Sequence, residues 1–536
     1  MSLHARALIP SGSNTTQARP VRPSGRALTL PVACALSLLA FAAFPPVQQN
    51  PRLLWSVLGA GVCLLVWAVV LRVLVSGIGS LDPTSKASLR YLESGPAQRG
   101  FTFDVELRPQ HYVQACAHAS IFVYWGWYWR PVYDFAYLIV AQLLFAYAFD
   151  ALLTWSRGER FTLGFGPFPI VFSTNLFIWF KPDWFFLQFL MLAVGFIAKA
   201  LIRWDRDGRQ AHIFNPSAFS LTVFSLALLV TGTSGITWGQ DIAVTQFFPP
   251  HIYAFLFLVA LPGQLLFGVT TMTMSAVVTT YAFGLAYVAL TGTYYFFDSY
   301  IPIAVFLGMH LLFTDPSTAP RTEGGRIIFG ALYGLSTVGL YAWLGSAGLP
   351  TFYDKLLQVP LLNLSVKTID WAVRSTPLGL VDPARAWRGL AGRPRNLAYV
   401  SVWGLVFLLM SAVQGVGDSH RGQWLPFWQR ACGEDRPGAC RHLSQMYATY
   451  CRAGSNWSCR ELESMEADEA TGRNSYQRAP RTALSTDGQR SAQGLPPIEE
   501  LPIVLRGSKG PITDRDPSSL WARACAQGWE EMCGGR

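Results

Sequence analysis

The chain lacks the fixtures of a self-contained redox or nucleotide enzyme. It has no glycine-rich dinucleotide fingerprint, no Cys-x-x-Cys-His haem site and no ferredoxin-type run of cysteines. Any such group has to be brought by another protein or bound non-covalently. Charge is scarce as well: Asp, Glu, Lys and Arg make up 14% of the 536 residues, against 51% apolar. Apolar runs of helix-spanning length recur along most of the sequence, so the chain reads as an all-α polytopic membrane protein with lipid as its first partner. The net charge of +10 would suggest nucleic acid in a soluble protein. Here the arginines concentrate in short loops between apolar segments, where they orient the chain in a bilayer, and no nucleic-acid partner is read from them.

At about 17–25 residues per span, helices are expected near 28–46, 53–77, 112–129, 133–155, 163–180, 184–202, 213–233, 250–268, 270–292, 298–314, 326–346, 352–373 and 398–416. That makes about 13 transmembrane helices. The twelfth carries Lys355 and Lys367, and ionisable groups in a span are costly, but loop charge favours it. With the N-terminus inside, Lys and Arg in short loops divide roughly 20 inside to 3 outside, the outer three being Arg52, Arg130 and Lys181. Without the twelfth span, Arg374, Arg385, Arg388, Arg393 and Arg395 would all fall outside.

The cysteines agree. Cys34, Cys63 and Cys116 lie in or beside apolar spans, whereas the other six form three C-x7-C pairs, Cys432/Cys440, Cys451/Cys459 and Cys525/Cys533. An even, regularly spaced set reads as disulfides in an oxidising compartment, and thirteen spans deliver the tail to the outer side. Zinc fits less well, since structural zinc pairs sit two to four residues apart. The basic residues 1–27 and the apolar run after them compete with a signal peptide. A retained first span is favoured, because a second long span follows at once and no small-residue cleavage site is evident.

Three loops carry more polar residues than orientation requires. "HIFNPSAFSLTVF" (212–224) has Asn215 before Pro216 where an apolar run begins: a helix start, or an Asn facing a buried polar or anionic ligand. "HLLFTDPSTAPRTEGGRIIFG" (310–330) breaks two spans with Asp315, Ser317 and Thr318. This is a turn by composition, yet an Asp just inside a membrane face is expensive unless paired or functional. "GTSGITWGQD" (232–241) offers Ser234 and Thr237 at the other end of the seventh span. Asp150 and Lys199 read as snorkelling or paired. His310 and Asp315 lack metal-ligand spacing, the aromatic run 123–135 reads as an interfacial belt, and "GALYG" (330–334) reads as close helix packing.

These stretches carry a resemblance. "HIFNPSAFSLTVF", "HLLFTDPSTAPRTEGGRIIFGALYGL" and "LRPQHYVQACAHASI" (107–121) are similar in order and spacing to the RnfD/NqrB family of membrane electron-transport subunits. Within that family the chain most resembles the divergent UnbU branch, which accompanies enediyne-type and other secondary-metabolite biosynthesis. The resemblance implies a ten-helix core over 105–375 in a bacterial inner membrane, with a cytoplasmic N-terminus. It also implies FMN joined by a phosphoester to Thr237 in the Ser234-Gly235-Ile236-Thr237 loop, where Ile236 departs from the family's alanine. Another flavin or a quinone is a further implied ligand, and Asn215, Asp315, Ser317 and Thr318 would line an inner cofactor or coupling-ion site.

Around that core lie a basic disordered N-terminus (1–27), two extra spans and a loop (28–104), and a basic loop with the last span (376–417). The tail follows as a disulfide-braced helical segment resembling Sel1-like repeats (418–465), a flexible linker (466–519) and a cysteine-containing end (520–536). Function is then expected to be that of a non-autonomous redox subunit working with other subunits of a complex, with a periplasmic partner for the tail. The alternative is a transporter or biosynthetic accessory protein that keeps the fold without the flavin.

Overall fold

A computed structural model describes residues 28–78, 103–206, 208–375, 379, 382–386, 389–390, 392–414, 420–423, 425–452 and 461–465. The expectations for 1–27, for the linker and for Cys459, Cys525, Cys533 and the Cys451 side chain lie outside the described residues. The protein is mostly helical. In chain order the main helices are α1 (Thr29–Ala40), α2 (Pro51–Ile78), α3 (Pro109–Tyr128), α4 (Ala136–Ser156), α5 (Pro167–Asn175), α6 (Phe186–Leu201) and α7 (Pro216–Thr231). They continue as α8 (Ile252–Phe267), α9 (Thr270–Thr291), α10 (Ile303–Leu307, extended by a π-turn Gly308–Leu312), α11 (Glu323–Ser346), α12 (Val359–Ser375) and α13 (Arg393–Gln414). Segments of α2, α4, α9, α11 and α13 are long and apolar enough to cross a membrane, while α6, α7, α8 and α10 with its π-turn are shorter apolar helices.

The packing repeats. In α3–α7, α4 lies against α5 and α6, α6 against α7, and α3 against α5; in α8–α12, α9 lies against the π-turn of α10 and against α11, α11 against α12, and α8 against α10. The halves meet through α3 with α8 and α7 with α12. The helices α1 and α2 flank α4, and α13 covers α8 and α9.

Each half contains one interrupted helical segment, which corrects the continuous helices expected at 163–180 and 298–314. The helix α5 stops at Asn175 after nine residues, and Leu176–Phe180 continues without helix while fully buried. Irregular backbone at membrane depth must satisfy its polar groups within protein. Here Phe180 N donates to Gln188 Oε1 (3.0 Å), Leu176 O accepts from Gln246 Nε2 (2.7 Å) and Trp179 O from Trp238 N (2.8 Å). Gln142 and Asn175 exchange amide hydrogen bonds at 3.1 and 2.6 Å, and Gln188 donates to Gln142 Oε1 at 3.2 Å, all three side chains being fully buried. The second half breaks at α10, helical only from Ile303, with the π-turn at Gly308–Leu312. The two breaks meet, since a Cβ added at Gly308 would lie 3.8 Å from the Phe177 ring. The twelfth expected span likewise opens with one 3-10 turn at Thr351–Tyr353 and becomes α-helical only at Val359.

The tail forms the expected hairpin, α14 (Leu425–Gly433) and α15 (Ala439–Arg452), with Cys432 and Cys440 disulfide-bonded and Leu443 and Tyr447 fully buried. It docks on the loop after α9. Arg436 donates to Gly292 O (2.7 Å), His442 stacks on Phe297 at 4.0 Å, and His420 packs on Tyr294 at 4.1 Å. Burial pushes the His420 pKa down to about 3, which keeps the ring neutral.

Candidate functional site

The structure brings the predicted residues at one end of the bundle into a single clasp. A hairpin unforeseen from sequence, β1 (Arg203–Arg206) against β2 (Arg209–His212), carries the chain from α6 to Asn215. Asn215 is the N-cap of α7: Oδ1 accepts from Ala218 N (3.1 Å) and Ser217 Oγ (2.9 Å), while Nδ2 donates to Leu312 O (2.8 Å). The side chain is thus spent on a helix start and on tying α7 to α10. His212 Nε2 lies 3.0 Å from Asp315 Oδ2, and Ser317 N donates to Asp315 Oδ1 at 2.9 Å. Burial opposes ionisation of Asp315, yet the bonds from His212 and Ser317 outweigh it and hold the carboxyl below its usual range. Thr318 is buried, donating to Asp315 O (3.3 Å) and accepting at its own carbonyl from Asn363 Nδ2 (3.3 Å), while Ser317 is exposed.

Around this clasp stand residues that the motif reading missed. Arg206 donates to Ser317 O (3.0 Å), Ala319 O (2.7 Å) and Asp370 Oδ2 (3.3 Å). Asp370, on α12, also accepts from Arg321 N (3.0 Å), Thr322 N (3.0 Å) and Thr322 Oγ1 (2.9 Å). Glu323, 3% exposed, accepts from Thr271 (2.8 Å) and Arg326 (2.6 Å). The available signal was Asp370 itself, a carboxylate inside an apolar run, which by default asks for a partner. His310 does not join Asp315: its Nδ1 lies 2.7 Å from Phe306 O. Lys199 rests its ammonium 5.7 Å from the Phe196 ring, as a snorkelling lysine does, and Asp150 is half-buried on α4.

Thr237 lies at the opposite end of α7, roughly 24 Å away for a 16-residue helix. Its side chain is 4% exposed; Oγ1 donates to Ser234 O (3.0 Å) and accepts from Gly239 N (3.2 Å), the first residue of the short helix Gly239–Thr245. The loop is held on both flanks, with Thr237 bridged to Phe180, Ile236 O accepting from Lys181 N (3.0 Å), and Tyr353 OH donating to Ser234 Oγ (2.9 Å). Gly235 is exposed, with nothing within 4 Å of an added Cβ. A phosphoester at Thr237 Oγ1 would remove the proton given to Ser234 and require the side chain to turn outward. As folded, the loop does not accommodate a flavin phosphate there.

Beside this loop lies an aromatic group that includes Trp129 and Phe135 of the run 123–135. Trp238 sits 4.7 Å from Phe135, 5.6 Å from Trp179 and 6.4 Å from Trp129. Comparison with known proteins finds no match to this chain among protein-family models, curated proteins or solved structures.

Proposed function

We propose that the chain spans a bacterial inner membrane thirteen times, with its N-terminus cytoplasmic and its tail periplasmic. On this reading it uses an RnfD/NqrB-like ten-helix core to move or handle a small polar solute for a biosynthetic or membrane system, without a flavin tethered at Thr237. The observation that carries it is the pair of interrupted apolar segments, α5 with Leu176–Phe180 and α10 with its π-turn, each the third helix in a run of five and touching at Phe177 and Gly308. Short or interrupted apolar segments at corresponding positions of two halves mark the solute site of repeat-built transporters. The buried, doubly hydrogen-bonded Thr237 hydroxyl favours the same side of the choice.

The second reading is a flavin-dependent electron-transport subunit with FMN on Thr237, acting with redox partners and with a periplasmic partner for the tail. It rests on the resemblance of 212–224 and 310–335 to the RnfD/NqrB family and on the Trp129, Phe135, Trp179 and Trp238 rings beside Thr237, with Lys181 nearby. If the flavin is bound, its ring supplies the redox chemistry and this chain positions it. In-gel flavin fluorescence of the denatured protein, co-expressed with a flavin-transferring enzyme, separates the two. The first reading expects no band. A fluorescent band lost in Thr237→Ala would replace it with the second.

A further inference from the structure

Where α3, α8 and α10 cross, they enclose a cavity with about 290 Å3 of atom-free space, part of it open to the surface. Its polar lining is Gln114, Gln264, His310 and Thr314, and the rest is apolar. Gln264 and His310 are each 2% exposed, yet both amide atoms of Gln264 and Nε2 of His310 meet no hydrogen-bond partner in the protein. Buried polar groups in proteins are usually paired and a membrane core makes the unpaired state costlier; among the described buried atoms without a partner, these three belong to two residues lining one cavity. Local sequence opens the space. Pro262 sits inside α8 beside Gly263, which adds no side chain to the wall, and the π-turn of α10 carries His310. Such turns recur at functional sites.

The chemistry of the occupant can be read from what the lining offers. His310 Nδ1 lies 2.7 Å from Phe306 O; a carbonyl only accepts, so Nδ1 carries the proton and Nε2 presents a lone pair. Thr314 gives its hydroxyl proton to His310 O (2.9 Å) and keeps lone pairs for an incoming donor. Gln264 contributes one donor group and one acceptor. The lining therefore asks for an occupant with at least two donor hydrogens and one acceptor. It contains no charged side chain, and neighbouring Asp315 is engaged by His212 at 3.0 Å. An ion would lie there uncompensated, so the occupant is neutral. The enclosed part has room for about one water, so anything larger extends into the part open to the surface.

We propose that this cavity binds a small neutral molecule bearing N–H or O–H donors and a carbonyl or hydroxyl acceptor, the size of a simple primary amide, held between Gln264 and His310. The inference deepens the solute-handling reading and rests on it.

The test uses the full chain in lipid nanodiscs, 15N-labelled at histidine, with formamide as probe. The His310 Nε2 resonance is assigned by its loss in His310→Phe. It is expected to move saturably as formamide is added, as an acceptor does when a donor arrives, and Gln264→Leu is expected to weaken that binding about tenfold, roughly one hydrogen bond. A wild-type resonance that does not move, or that moves equally in Gln264→Leu, overturns the site; the wild-type titration decides even if a variant fails to fold. Formamide uptake into proteoliposomes is read alongside. A saturable shift without uptake keeps the site and removes the transport reading, whereas uptake without a shift keeps transport and removes the site.

Discussion

Asp315 shows how much one side chain carries at the clasp. It is the acceptor for His212 and for Ser317 N, and its backbone carbonyl holds Thr318. Its folded pKa lies below the ordinary 3.8 because these donors outweigh burial. A carboxyl depressed in this way adds stability that is fully present above the unfolded value and is lost as pH falls through the folded one. Asp315→Asn is therefore expected to lower stability by about 1–3 kcal/mol at neutral pH. The gap from wild type should stay constant down to about pH 5 and close as pH falls below about 4. Thermal denaturation in detergent across that range checks it, and a gap independent of pH would show that shape rather than charge matters at this position.

Among helix pairs, α9 with α11 is the tightest fit. A Cβ at Gly330 would stand 2.2 Å from Met272 O, and one at Gly334 would stand 2.8 Å from Ala276 O. Both contacts are with backbone, so no side chain can yield. The small-xxx-small spacing of "GALYG" is what allows the helices this close. Gly330→Ala is expected to force them apart at a cost of about 1–3 kcal/mol, read as a lower melting temperature. Gly339→Ala, on the same helix with nothing within 4 Å of the added carbon, should leave the melt unchanged or raise it. The buried Gln142, Asn175 and Gln188 amides act at the same scale, satisfying the backbone where α5 ends.

Seen whole, the molecule has a polar clasp at one end and, at the other, the Thr237 loop and the docked tail. The tail hairpin closes its disulfide between Cys432 and Cys440 and lies on the loop after α9. A periplasmic tail predicts that these two thiols resist a maleimide added to unreduced, denatured protein and become reactive after reduction. Equal labelling before reduction, measured by gel shift in a chain retaining only these two tail cysteines, would place the tail in a reducing compartment and reverse the proposed topology.

Much of the element list was legible in the sequence. Each expected span contains a helix because apolar runs and loop arginines are local signals, and the cysteine spacing announced the hairpin for the same reason. Asn215, Asp315, Ser317 and Thr318 were legible as a group because proline and short polar side chains mark helix ends. The breaks within α5 and α10 were not, since "PFPIVFSTNLFIWF" is as apolar as a continuous span and only distant amides make an unwound stretch tolerable. Nor was the engagement of Thr237 legible, because its hydroxyl partners depend on how the loop folds back over Phe180. The sequence by itself determined that the chain is helical, lipid-embedded and disulfide-braced in its tail, because hydropathy, charge and cysteine spacing act over a few residues. Only the tertiary structure decided that Asp370 and Arg206 lock the clasp and that Gln264 and His310 face one cavity. Those pairings join residues from different helices, and their energetics depend on burial that no short stretch of sequence displays.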